Sequence, residues 1–481
     1  MTQAYLGLDL GTQGARGVAI DAAGRVLASA ERPLPPSPKS EAGRAEQDAE
    51  GWWPACADCL AELCAAMNGA EPRAISVDST SGTIVPVDAH GTALRPALMY
   101  NDARAVAEAE EINALAGDFT ARLGYGFPAA FALPKILWLA RQEPDLWART
   151  AKVLHAADFI VARLCGEVRW SDWSNALKSG YDLVDLRWPA FIADLGIDVG
   201  KLPEVVAPGS VVAQVSQEAA RQTGLPAGLP IVAGCSDGTA SLLATGLSAP
   251  GEWNSTLGTT LAIRGISSDL VRDPEGRIYC HRHPDSFWLP GGAGNTGAAP
   301  IAARFGEDAL RADSAQAMAG APYDAIVYPL GGRGERMPLS RPAAEAFSIK
   351  EPSDPVAALG AWMQGQALAE RWCFELCEDL GCPVGEWIAV TGGAARNDAW
   401  LQLRADVLGR EVRRPRHAYA AYGSALLALA GRTGEKVSEI AGRAVEFEIA
   451  VEPRQEHAAA YAELLARMKA AVAERWGILD Q

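Results

Sequence analysis

Residues 5–21 read YLGLDLGTQGARGVAID, an apolar run broken by an acid and a small polar turn before it resumes. Such a turn can do chemistry. Gly11, Thr12, Gln13 and Gly14 can aim successive backbone N–H groups at one point, which makes a nest for an anion. Glycine allows the positive φ angles and the close approach that such a loop uses. Thr12 and Gln13 add side-chain donors, and Arg16 adds positive charge. Asp9 would repel a phosphate held there, unless a divalent cation sits between them, bound directly or through water. A plain hairpin with ordinary turn glycines is the other reading of these residues.

A second stretch, GEWNSTLGTTLAIRG at 251–265, has the same form: strand, hydroxyl-rich turn, strand. Ser255, Thr256, Gly258, Thr259 and Thr260 make the turn. Self-similarity over this distance suggests duplication, with one copy in each of two domains. Two such loops could clamp a polyphosphate. A third turn, Gly392-Gly393-Ala394 with Asn397, precedes a helix and could admit a flat base or a ribose. Asp237, in CSDGTAS, follows a buried strand. A carboxylate there could take a proton from a substrate hydroxyl in phosphoryl transfer, or cap a helix. Other nucleotide motifs are missing. There is no G-x-x-x-x-G-K-[ST] loop and no G-x-G-x-x-G after the first strand. Gly11 stands where an aspartyl-phosphate hydrolase would want its second carboxylate, and the protein-kinase set is absent.

The elements that must position these residues follow from the rest of the chain. Its 481 residues are too many for one core, so two domains are expected, 1–246 and 247–481, divided near Gly246 to Gly251. The net charge of −16 argues against nucleic acid as a partner. No apolar stretch reaches the length of a membrane span and no signal peptide is visible, which with nine scattered cysteines points to the cytoplasm. Cys56 and Cys59 form a CxxC on a helical apolar pattern, and Cys373, Cys377 and Cys382 lie on another; both read as core rather than metal sites. His281 and His283 would share a strand face without an evident third ligand. Residues 5–30 predict three strands, 48–67 a helix, 73–88 strand–turn–strand, and 131–150 and 157–166 helices. Strand–turn–helix units are expected at 229–246 and 386–409, a strand at 325–330, and a long helix from Asp354-Pro355 to Gly381. The Pro-rich PLPPSPKSE at 33–41 reads as a surface loop. A last helix at about 457–476 could be packed core, a cap or a dimer contact, so a homodimer stays open.

Taken in order, GLDLGTQGAR, FALPKILWLARQEPDLWARTAKVLHAADFIVARLCGE, GERMP and TGGAARNDAWLQLRADVLG resemble the FGGY carbohydrate kinases along nearly the whole chain. The resemblance implies an α/β fold of two ribonuclease-H-like (actin-like ATPase) domains flanking a deep catalytic cleft. It implies ATP and Mg²⁺ as cofactors, a small sugar as partner, and neither nucleic acid nor membrane. By position, Asp9 would help hold Mg²⁺, and Gly11, Thr12, Gln13 and Arg16 would form the first phosphate loop. Ser255 to Thr260, with Thr256, Gly258 and Thr259 at the centre, would form the second. Gly392, Gly393 and Asn397 would meet adenosine, Gly297 would also contact the nucleotide, and Asp237 would be the catalytic base. The sugar would meet Asp9, Thr80, Ser81, Asn101, Asp102 and Asp237.

Xylulokinases of this family usually carry Met-His-Gly where this chain has Thr80-Ser81-Gly82. The stretches DSTSGT, SDWSNALKSGYD and IYCHRHPDSFWLPGGAGNTGAA resemble instead the D-ribulose kinase branch, often labelled xylulokinase-like. The expectation is an ATP-dependent ketopentose kinase acting on D-ribulose. D-Xylulose, L-ribulose and polyols remain alternatives. A non-catalytic sugar-binding regulator and a partner-moving actin-like ATPase are rivals of other classes; Asp9, Thr12 and Asp237 argue against the first, and residues 100–104 and 131–167 against the second.

Overall fold

The computed structural model describes residues 2–35 and 43–477. From residue 36 on, the expected Pro-rich loop lies outside the described residues. The chain forms two compact units.

The first unit is built on a mixed sheet. Its strands are β1 (Gln3–Leu10), β2 (Gly14–Ile20), β3 (Val26–Pro33), β4 (Glu71–Ser79), β5 (Val211–Gln214) and β6 (Pro230–Val232). They lie in the order β5-β6-β4-β1-β2-β3. β1, β2 and β3 form an antiparallel meander, while β4 runs parallel to β1 and to β6. β1 is buried from Ala4 to Leu10, as befits a central strand covered on both faces. Its side chains alternate between two cores. Leu6, Leu8 and Leu10 join the helices Trp52–Ala66 and Ala156–Cys165, whereas Tyr5 joins the helix Ala420–Thr433.

That last helix corrects the expected division of the chain. The first unit comprises Met1–Gly246 together with two later segments, His281–Ser286 and His417–Val445. The reason is close packing. A Cβ on Gly7 of β1 would lie 1.9 Å from the Ala421 carbonyl oxygen, and one on Gly423 would lie 1.8 Å from that of Ala240. Missing side chains on both partners thus let the helix backbone press onto β1 and onto the helix Asp237–Leu243. Asp285 secures the other segment by accepting from the backbone N–H groups of Val437 and Ser438, at the start of the helix Val437–Ala444.

The second unit comprises Leu247–Cys280, Phe287–Arg416 and Glu446–Gln481. Six of its strands repeat the first sheet's pattern of parallel and antiparallel pairing, although here the edge strand follows its neighbour in the chain instead of preceding it. β7 (Trp253–Leu257) pairs antiparallel with β8 (Leu261–Gly265), which pairs with β9 (Trp288–Gly294). On its other side β7 runs parallel to β10 (Trp387–Thr391), followed by β11 (Glu411–Pro415) and β12 (Phe447–Val451). The internal similarity of the two polar turns therefore corresponds to the same hairpin in each unit.

The long helix forms at Pro355–Asp379, with the Asp354 side chain accepting from Ala357 N–H at 2.9 Å. Its middle is buried on all sides, including Glu370, which receives two hydrogen bonds from the equally buried Arg404 at 2.9 and 2.7 Å. The closing helix Ala458–Trp476 packs Tyr461, Leu464, Leu465 and Met468 into the same core. Cys56, Cys59, Cys373, Cys377 and Cys382 are all buried within the two cores.

Because Gly423 has backbone rather than a flexible side chain opposite it, Gly423→Ala must displace a helix. It should destabilise the first unit by about 2 kcal/mol or more, read as a lowered denaturation midpoint. Unchanged stability would contradict the packing described.

Candidate active site

The first unit holds a cavity of about 490 Å³ lined by Asp9, Gly11, Thr12, Gln13 and Arg16, with Thr80, Tyr100, Asp237, Ser241, Tyr419 and Ala420 completing its wall. Strand alternation explains the place of Asp9. It shares a face of β1 with Tyr5 and Gly7, and so points toward the start of the Ala420–Thr433 helix. Arg16, opposite Asp9 in the β1–β2 register, brings its Nη1 to 3.7 Å from Asp9 Oδ2.

Asp78 was not anticipated. It pairs with Asp9 in the parallel β1–β4 register and is completely buried. Burial, then the nearby Asp9 charge, holds its carboxyl well above the usual range, against the pull of a hydrogen bond from Ser424 Oγ. Burial and the facing acid thus favour the neutral form of Asp78. Burial pushes Asp9 itself up to about 6, with the Asp78 hydrogen bond and Arg16 opposing that rise and the Asp237 charge adding to it. The available signal was a lone acid inside the apolar strand RAISVDS, a placement that demands a partner.

The first polar turn differs from the expected nest. Gly11 N–H donates to Gly14 C=O at 3.0 Å, and neither glycine has a positive φ. Gly14 is needed instead for close approach, since a Cβ there would lie 2.6 Å from the Arg32 carbonyl oxygen. The turn is further fixed by Leu34 N–H on Gln13 C=O and by Gln47 Nε2 on Thr12 C=O.

Asp237 opens the helix Asp237–Leu243 but does not cap it. Ser236 occupies the N-cap position, and the Asp237 Oδ1 accepts from Gly238 N–H at 2.7 Å. The residue before it is anchored. Ser236 N–H donates to Ser174 Oγ at 2.8 Å, and that hydroxyl donates to the buried Asp172 at 2.6 Å. Ser236 also bridges to Ser79 at the end of β4. This frame sets Asp237 on the same cavity as Asp9, where a carboxylate can meet a substrate hydroxyl.

Of the remaining expected sugar contacts, Thr80 lines the cavity. Ser81 is buried beside it, and Asn101 is exposed. Asp102 is buried and spent on structure: it accepts from Ala45 N–H at 2.7 Å, from Arg104 N–H and from the Arg104 guanidinium. Tyr100, at the head of the 100–104 segment, lines the cavity too, whereas Ser241 and Tyr419 are cavity residues that the sequence did not point to.

The second unit holds its own cavity, of about 760 Å³, lined by Gly258, Thr259, Gly393 and Asn397 among others. Thr256 turns away from it, to hydrogen-bond Thr391 Oγ1 at 2.7 Å. Gly297 and Gly392 act by close approach. A Cβ on the first would meet Thr259 O at 2.0 Å, and on the second Leu257 O at 2.5 Å. Asn397 frames the wall: it accepts from Trp400 N–H and donates to Leu310 C=O and Ser314 Oγ.

Among the described residues, no group of three His, Cys, Asp or Glu side chains is placed to hold a metal by itself. The donor set around Asp9 nevertheless suits Mg²⁺. A buried carboxylate and a second acid face one cavity with a single nearby arginine, and Mg²⁺ takes one or two carboxylates plus water and substrate phosphate.

Residues 4–244 match the FGGY family of carbohydrate kinases, N-terminal domain, and residues 256–431 match its C-terminal domain. The chain is 28% identical over 457 residues to a xylulose kinase of Streptomyces rubiginosus, covering 91% of this chain and 90% of that one. It is 27% identical over 439 residues to a gluconokinase of Bacillus subtilis, covering 86% and 84%. The solved xylulose kinase of Rhodospirillum rubrum superposes with a TM-score of 0.87 at 27% identity, covering 98% of this chain and 99% of that one. The chain therefore belongs to the FGGY family of carbohydrate kinases, and is an ATP-dependent sugar kinase with that family's two-domain α/β fold.

Proposed function

We propose that the protein phosphorylates a ketopentose at its terminal hydroxyl, with D-ribulose giving D-ribulose 5-phosphate as the leading case. The observation that carries this reading is the convergence of Asp9 and Asp237 on one polar cavity beside Thr80. Asp237 takes the proton of the sugar hydroxyl as its oxygen bonds to the γ-phosphorus and the bond to the β–γ bridging oxygen breaks. The Gly11–Gln13 turn and Arg16 are the groups assigned to the transferring phosphate, and the Gly258–Thr259 turn is assigned to the nucleotide. Gly393 and Asn397 border the space for adenosine. Mg²⁺, when bound, would be held by Asp9 through water and would neutralise phosphate charge.

Support for D-ribulose comes from Thr80-Ser81-Gly82, where xylulokinases usually have Met-His-Gly. D-Xylulose is the second reading, favoured by the relatives named xylulose kinase. No helix among the described residues is long and apolar enough to cross a membrane.

ADP release with Mg²⁺-ATP across D-ribulose, D-xylulose, L-ribulose, xylitol and gluconate should show D-ribulose with the highest kcat/KM. Preference for D-xylulose would overturn the Thr80-Ser81-Gly82 reading, and silence across the panel would overturn the kinase assignment to these sugars. Asp237→Asn should cut sugar-dependent turnover by about 10²- to 10⁴-fold while calorimetry still detects sugar binding; wild-type turnover would exclude Asp237 as the base. Asp9→Asn should raise the Mg²⁺ concentration for half-maximal rate by about tenfold or more with little change in sugar KM, and an unaltered Mg²⁺ titration would exclude Asp9 from the metal site.

A further inference from the structure

The PKILWL segment, which the resemblance includes but to which the proposed chemistry gives no part, carries a buried cation. Lys135 is fully inaccessible, on the helix Ala132–Gln142. Its Nζ donates to Gly82 C=O at 2.7 Å and to Met99 C=O at 2.7 Å. These two carbonyls belong to the two loops that border the cavity with Thr80 and Tyr100. One ammonium thus ties them together from behind.

Neighbouring contacts reinforce the tie. Tyr100 N–H donates to Thr83 Oγ1 at 3.1 Å, a direct link between the same loops. Lys178 Nζ donates to Ser81 C=O at 3.0 Å, next to the carbonyl that Lys135 holds. One helical turn beyond Lys135, Trp138 underlies the Arg104 guanidinium at 4.9 Å, and Arg104 grips Asp102. The helix therefore holds the 99–104 loop at two points on one face. Asp102, expected to touch sugar, works in this scaffold.

Burial of an ammonium is costly, and here it pulls Lys135 down to about 7. An apolar side chain could fill the same space at no such cost, but would leave two carbonyls without donors. The lysine serves a purpose that packing alone does not. We propose that Lys135 is a positioning residue for the sugar pocket, fixing the 80–83 loop against the 99–102 loop and so setting sugar affinity and the discrimination between epimeric sugars. This rests on the ketopentose-kinase reading above.

The test is steady-state kinetics of wild type, Lys135→Met and Thr83→Val, each with D-ribulose and D-xylulose and with ATP varied separately. Lys135→Met should raise the KM of the preferred sugar tenfold or more, leave the KM for ATP within twofold, and narrow the ratio of kcat/KM between the two sugars. Thr83→Val cuts the direct link without touching the buried cation and should shift the sugar KM the same way, by several-fold; it supplies the measurement if Lys135→Met does not fold. Unchanged sugar KM and unchanged discrimination in the folded variants, with an active wild type, would overturn this proposal alone. Equal rises in the sugar and ATP KM values would overturn it as well, by showing general damage. A wild type without sugar-dependent turnover would instead overturn the functional reading and this inference with it.

Discussion

Two acids, Asp9 and Asp78, stand at matching positions on adjacent parallel strands, and they cannot both be charged. Strands lie about 4.8 Å apart, and two like charges at that spacing repel by about 3 kcal/mol at an effective dielectric of about 20. Burial adds a larger penalty of its own. The fully buried Asp78, tied to Ser424, is the one that stays neutral. Asp9 is the acid of the pair that meets the cavity. The site thus has one carboxylate on β1, another on the helix beginning at Asp237, and the half-exposed Arg16 beside Asp9.

The rest of the first unit is arranged around that constraint. The Ala420–Thr433 helix supplies Ser424, and it can reach Asp78 only because Gly7 and Gly423 let backbone approach backbone. Asp172 and Ser174 hold Ser236, and with it the start of the helix that presents Asp237. On another side, Lys135 and Thr83 join the loops beside Thr80 and Tyr100. Most of the polar groups here are therefore committed to fixing a few others, as preorganised phosphoryl transfer requires when the protein contributes position and charge rather than covalent steps.

Local features were legible in the sequence because local physics sets them. The three opening strands, the Asp354-Pro355 helix start and the strand–turn–helix units fall close to where alternation, capping residues and glycines indicated. Asp9, Thr12, Arg16, Thr80 and Asp237 line one cavity. Long-range facts were not legible. Nothing in AAYGSALLALAG indicates that this helix rejoins the N-terminal unit, since an apolar helix can cover any sheet. Asp78 and Lys135 lie in the quoted stretches DSTSGT and FALPKILWL, but their partners Asp9, Gly82 and Met99 are brought to them only by the fold. Gly11 and Gly14 looked like residues chosen for positive φ, and the turn instead uses the small size of Gly14. Asp102 looked like a ligand because it is an acid in a sugar-kinase segment, whereas its partners are Ala45 and Arg104.

The most direct test of the account is a crystal structure of the protein with D-ribulose, or the sugar that proves active, and a non-hydrolysable ATP analogue. The account predicts the sugar in the cavity of the first unit, its terminal hydroxyl within about 3.2 Å of an Asp237 carboxylate oxygen. A sugar bound away from Thr80 and Asp237, or one presenting a different end to Asp237, would contradict it.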